Sequence, residues 1–337
     1  MKNSAPWKVV PRNLQRNWRQ ERGKPISCVF CLCLGVLLIA LSPQRIVAAL
    51  GVRRIQDVVY GRKYGMALTF DAFLPRKGNG CGIVFIVNGG WFSSHDRDDM
   101  VHVNPSYYTP FLSHGYTVFA VVTSSQPRFI IPEQIADLHR AVRFIRYNSV
   151  KYGISSNCLG ITGSSSGGQL ALMIATQGGP GPANSKDPVD RETSAVQAVA
   201  CFFPPTDFLN WGAPGVSGVG VGSMAPLKAA FGPLADTASG RESLGKEISP
   251  IYFLTSNLPP TLIIHGDADQ VVPIQQSYEF IRKAERLHVR AVKLIVRKGK
   301  GHGWGDFWKS PEDIQAILSW FDTYLPRTPA SQVGNGQ

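Results

Sequence analysis

A chain of 337 residues, 44% hydrophobic and 17% charged, has material for one large folded domain or two small ones. It is too apolar to be disordered and carries no collagen-like or low-complexity bias. Its net charge of +12 points towards nucleic acid only until it is localised. Residues 1–49 hold Lys2, Lys8, Arg12, Arg16, Arg19, Arg22, Lys24 and Arg45 against one acid, Glu21, which accounts for +7 and leaves +5 for the rest. Without aromatic-interleaved basic clusters, that balance argues against a nucleic-acid partner.

The basic head runs into an uncharged stretch, Ile26 to Leu41, and then into Val47-Ala48-Ala49. Positive charge, an apolar core and small residues are the parts of a secretory signal. The run is long for a signal core and short for a membrane span, so an uncleaved signal anchor over residues 26–42 stands beside a cleaved peptide. In both cases the positive end stays in the cytoplasm and the remainder is exported, periplasmic or extracellular, with the membrane as partner only through this segment. Cys28, Cys31 and Cys33 fall within it, leaving Cys81, Cys158 and Cys201. An odd number beside apolar runs is expected to give buried thiols rather than a disulfide framework.

From residue 50 a single domain is expected to extend to 327, with 328–337 as a flexible tail. Ile55–Tyr60 and Met66–Phe73 read as opening strands around the turn Gly61 to Gly65. Short apolar runs follow at Ile83–Val87, Thr117–Val122, Cys158–Thr162, Val196–Phe203, Thr261–His265 and Val292–Val296, the composition of strands buried on both faces. Between them, Gln134–Tyr147 places Ile135, Leu138, Val142 and Ile145 on one helical stripe, and Ile274–Leu287 behaves likewise. A last helix opens at Ser310-Pro311-Glu312, an N-cap with Pro at the first helical position. The alternation predicts an α/β fold, a mostly parallel sheet of about eight strands with helices on both faces. Residues 209–256, rich in Gly, Ala and Pro, are weakly periodic and are expected to be a lid insertion or a structureless excursion.

Chemistry concentrates in loops after the strands. Gly163-Ser164-Ser165-Ser166-Gly167 fits G-x-S-x-G with Ser165 central, directly after an apolar run and before the helical Gly168–Ala175. A nucleophile on a sharp strand-to-helix turn requires neighbours two residues away without side chains. A serine hydroxyl also needs a base held by a third group. His302, between Gly301 and Gly303 after the strand Val292–Val296, is the candidate base; His95, His102, His114, His139, His265 and His288 lack such a setting. For the acid, Asp269 in the loop after Thr261–His265 is preferred, with Asp267 nearer the strand and Asp207 also open. Asn88-Gly89-Gly90-Trp91, after Ile83–Val87, has the glycines of a turn whose N–H groups hold developing negative charge, with Gly90 or Trp91 as one donor and the Ser166 N–H as the other. Trp91, Phe92 and Trp304 are candidate substrate-contacting rings, whereas Trp211 is expected to pack internally.

These motifs, over residues 55–325, resemble the α/β-hydrolase fold of the esterase/lipase superfamily, and most closely the BD-FAE-type carboxylesterases, which overlap with prolyl-oligopeptidase-like hydrolases. The resemblance implies a Ser165–His302–Asp269 triad, selecting Asp269 over Asp267, and a small-molecule ester substrate cleaved through an acyl-enzyme with no metal or organic cofactor. Relatives often show His-Gly-Gly-Gly-Trp where this chain has Val87-Asn88-Gly89-Gly90-Trp91. A peptidase activity and an inactive binding protein on the same fold are the alternatives; the first usually carries an N-terminal propeller, and the second commonly lacks the nucleophile or the histidine.

Overall fold

The computed structural model describes residues 51–94, 107–305 and 307–326. The expected signal segment in 1–49 and the tail at 328–337 lie outside the described residues. Among the described residues no helix is long and apolar enough to cross a membrane.

Eight strands form one sheet: β1 (Arg53–Lys63), β2 (Met66–Leu74), β3 (Gly82–Ile86), β4 (Thr117–Val122), β5 (Leu159–Ser164), β6 (Ala198–Phe202), β7 (Thr261–Gly266) and β8 (Val292–Arg297). Their order is β1-β2-β4-β3-β5-β6-β7-β8. Only β2 runs against its neighbours; β4, β3 and β5 to β8 pair in parallel. Parallel strands need crossovers, and these cover both faces of the sheet.

The alternation of strand side chains divides the core in two. Val84 and Ile86 of β3, with Phe119 and Val121 of β4, face the helices α2 (Ile131–Tyr147) and α3 (Ser166–Gln177). Ile83 and Phe85, with Val118, Ala120 and Val122, face α1 (Thr109–Ser113) and the C-terminal α7 (Pro311–Tyr324). The stripe Ile135, Leu138, Val142 and Ile145 of α2 is buried as its spacing predicts, and the Ser310 side chain caps α7 by accepting the Asp313 N–H. A short α4 (Pro188–Arg191) and α6 (Gln275–Arg286) complete the crossovers.

Residues 209–256 are not structureless. They form 3₁₀ turns at Gly222–Ala230 and Pro233–Asp236 and the helix α5 (Ala238–Ile248). Val219, Ala230, Phe231, Leu244 and Ile248 are fully buried in the same core as α2 and α3. The segment is a packed wall above the carboxyl ends of the central strands.

The cysteine expectation is corrected. Cys81 and Cys158 form a disulfide, with Cα atoms 4.8 Å apart across a sequence separation of 77, while Cys201 is a buried thiol. The reason is register: Gly82 opposes Leu159 in the β3–β5 pair, so the residues just before each strand are brought side by side at the sheet's amino edge.

Candidate active site

Ser165 sits between β5 and α3 with φ 53° and ψ −121°, backbone angles that an L-residue adopts only where its surroundings enforce them. Here its N–H donates to Phe202 O at 3.0 Å, and its carbonyl accepts the Gln169 N–H at 2.9 Å. The turn is so tight that a Cβ on Gly163 would lie 2.6 Å from the Gly167 backbone. The motif's glycine at 163 is therefore a steric necessity.

His302 follows β8, and Asp269 follows β7. The His302 Nδ1 lies 2.8 Å from Asp269 Oδ2, and its Nε2 lies 3.0 Å from Ser165 Oγ. A carboxylate only accepts, so Nδ1 carries the proton and Nε2 is left to accept the serine hydroxyl. The imidazole rests on the Phe203 ring, with centroids 4.6 Å apart. Three side chains from distant loops are thus brought together at the carboxyl edge of the parallel strands.

Asp269 is saturated with donors. Its Oδ1 accepts the N–H groups of Val271 (2.8 Å) and Val272 (2.9 Å), while Oδ2 faces both His302 and, at 3.3 Å, His265 Nε2. Burial alone would push the carboxyl up. The hydrogen bonds from His265 and His302, the electrostatic attraction of His302 and the Val272 N–H more than offset this and hold it well below the usual carboxylate range. His265, which sequence leaves without a role, is fully buried; its Nε2 donates to Val272 O at 3.0 Å, and its Nδ1 therefore accepts from the Ser277 hydroxyl at 2.7 Å. The other two acids lie elsewhere. Asp267 is exposed and accepts the Gly299 N–H, while Asp207 caps its own turn through Leu209 N, Asn210 Nδ2 and Tyr252 OH.

After β3, Gly89 and Phe92 exchange reciprocal backbone bonds of 3.0 and 3.1 Å, closing a two-residue turn. Its central residues Gly90 (φ 59°) and Trp91 (φ 60°) are both left-handed, as a type I′ turn requires. For a tryptophan this costs roughly 1–2 kcal/mol. Among the described residues, the N–H groups of Gly90, Trp91 and Ser166 have no hydrogen-bond partner. Asn88, at the base of the turn, accepts the Ser166 hydroxyl at 2.7 Å, which ties the turn to the start of α3.

The three candidate aromatic rings differ in exposure. Trp91 is only 2% exposed; its indole packs on Phe208 and Phe231 and donates to Gln169 Oε1 at 3.1 Å. Phe92 is 42% exposed, and Trp304 is half-buried against Phe202, Phe203 and Phe307. Trp211 packs inside, stacked on Phe208. Among the described residues, no group of three or more His, Cys, Asp or Glu is arranged to hold a metal ion.

The chain is 24% identical over 244 residues to the probable carboxylic ester hydrolase LipM of Mycobacterium tuberculosis, covering 70% of this chain and 53% of LipM. It is 31% identical over 171 residues to esterase LipQ of the same organism, covering 49% and 37%. The chain thus spans about half the length, or less, of these curated relatives. Among solved structures, a truncated carbohydrate esterase from gut microbiota is 27% identical and superposes with a TM-score of 0.65 over 80% of this chain and 95% of its own. The architecture is that of the α/β-hydrolase fold. The family model for BD-FAE matches residues 70–284, a stretch running from β2 through the nucleophile turn and Asp269 into α6, and on that match the chain belongs to the BD-FAE family.

Proposed function

We propose that the protein is a carboxylic ester hydrolase that works through an acyl-enzyme on Ser165. The carrying observation is the unbroken relay Ser165 Oγ–His302 Nε2 (3.0 Å) and His302 Nδ1–Asp269 Oδ2 (2.8 Å). His302 takes the hydroxyl proton as Ser165 Oγ attacks the acyl carbon. The carbonyl oxygen becomes an anion, received by the unpartnered N–H groups of Ser166 and of Gly90 or Trp91. As the intermediate collapses, the C–O bond to the alcohol breaks and His302 hands its proton to the departing oxygen. Water then enters: His302 takes its proton as the oxygen bonds the acyl carbon, and on collapse the bond to Ser165 Oγ breaks, His302 returns the proton to the serine and the acid leaves. Asp269 keeps the imidazole in the tautomer that has Nε2 free.

The substrate side is proposed as a small ester whose alcohol or acyl part meets Phe92 and Trp304 rather than the buried Trp91 ring. An exported location is supported by the basic and apolar N-terminal sequence and by the Cys81–Cys158 disulfide, a bond characteristic of oxidising compartments. Ser165→Ala should lower kcat for p-nitrophenyl acetate by about 10⁴-fold or more; a variant turning over at the parent rate refutes the assignment.

A further inference from the structure

Asn88, one of the two residues that depart from the usual motif, lies in a chain of buried hydrogen bonds running from Ser166 to Trp91. Asn88, Gln134 and Ser166 are at most 2% exposed. The Ser166 hydroxyl donates to Asn88 Oδ1 (2.7 Å), Asn88 Nδ2 to Gln134 Oε1 (3.0 Å), and Gln134 Nε2 to the Trp91 carbonyl (3.0 Å). The direction of this chain is forced. A backbone carbonyl can only accept, so Gln134 must turn its amide nitrogen to Trp91 and its oxygen to Asn88. Asn88 must then present nitrogen to Gln134 and oxygen to Ser166. A flipped amide anywhere would set carbonyl against carbonyl in a dry interior, where an unmade bond is costly.

The same logic holds the other end of Trp91. Its indole N–H donates to Gln169 Oε1, which turns the Gln169 Nε2 to Ile248 O at 2.8 Å. The Trp91 carbonyl takes a second bond from the Gln126 N–H at 3.1 Å. A left-handed tryptophan at the tip of a two-residue turn is thereby held at both ends, and through Asn88 the turn is tied to Ser166.

We infer that Asn88 and Gln134 are positioning residues that join the two halves of the oxyanion hole, holding the Trp91 turn and the Ser166 N–H at a fixed spacing. Neither touches substrate. This rests on the proposed role of Ser166 and the 88–91 turn as anion donors. A chain of bonds that runs from one donor to the other fixes their spacing before substrate arrives, so its loss is felt when the oxygen becomes an anion and little when the ester first binds.

The test is a double-mutant cycle with Asn88→Leu, Ser166→Ala and the pair, read by kcat and KM for p-nitrophenyl acetate and by the Ki of phenylboronic acid, which forms a tetrahedral adduct on the nucleophile. Asn88→Leu should lower kcat by about 10- to 100-fold, short of the 10²- to 10³-fold for losing a donor outright. KM should stay within about threefold, and the boronate should weaken in proportion to kcat. The double variant should lose far less than the product of the two single losses, because both break one link. Should Asn88→Leu not fold, Ser166→Ala and Gln134→Leu carry the same expectation. The inference is overturned if kcat and Ki stay within twofold of the parent, or if KM rises while kcat holds. Loss of activity in Ser165→Ala alongside unaffected Asn88 and Ser166 variants removes this inference and leaves the esterase reading standing; an active Ser165→Ala removes both.

Discussion

Asp269 shows how much a single side chain can carry. It accepts two backbone N–H groups and faces two imidazoles, and its carboxyl stays ionised far into acid. Asp269→Asn should lower kcat by about 10⁴-fold, because an amide facing Nδ1 favours the wrong imidazole tautomer. The substitution should also change stability with pH. A carboxyl whose folded pKa lies below its ordinary value of 3.8 binds protons more readily in the unfolded chain. Its stabilisation is therefore complete above that value and disappears as the pH falls through the folded one. Thermal unfolding across the acid range should show the parent's advantage over Asp269→Asn shrinking below about pH 4. A difference that grew on acidification would contradict the assignment.

At the scale of elements, the central strands β3 to β7 were readable because each is buried on both faces and written as an apolar run. By contrast β8, expected from Val292–Val296 to be buried on both faces, is a half-exposed edge strand, because no described strand pairs beyond it in the sheet. Thr117–Val122 matches β4 residue for residue, and the other central strands shift by a few residues at their ends. The Ser165, Asp269 and His302 loops were readable too, since each follows such a run. The helix α5 was not: Gly240 and Gly245 break its pattern. A Cβ on Gly245 would lie 2.3 Å from Leu209, so close packing, invisible in one dimension, dictates the residue. His265 was missed for a similar reason, because only the fold-back of the loop after β7 brings it to the carboxylate. The disulfide depends on β3 and β5 being neighbours, which sequence order conceals by placing β4 between them. Replacing Cys81 and Cys158 together by Ala should cost about 2–5 kcal/mol in urea unfolding. Because the bond lies at the amino edge of the sheet, kcat at 25 °C should hold within about twofold; a large loss of turnover would show that the two edges are coupled.

Over the whole molecule, the candidate site is assembled from the loops after β3, β5, β7 and β8, and the wall of residues 209–256 packs against the first of them. Phe231 of that wall is fully buried, 5.3 Å from the Trp91 ring and 5.5 Å from Phe208. Phe231→Ala should destabilise the fold by about 3–5 kcal/mol, measured by denaturant unfolding. Retention of parent stability would mean that the wall stands apart from the core. The lodging of the Trp91 indole among phenyl rings gives the protein an internal lamp. Its near-ultraviolet signal, isolated as the difference between the parent and Trp91→Phe, should fade on heating at the same temperature at which esterase activity is lost, so that the loss can be watched optically in the turn proposed to receive the anion.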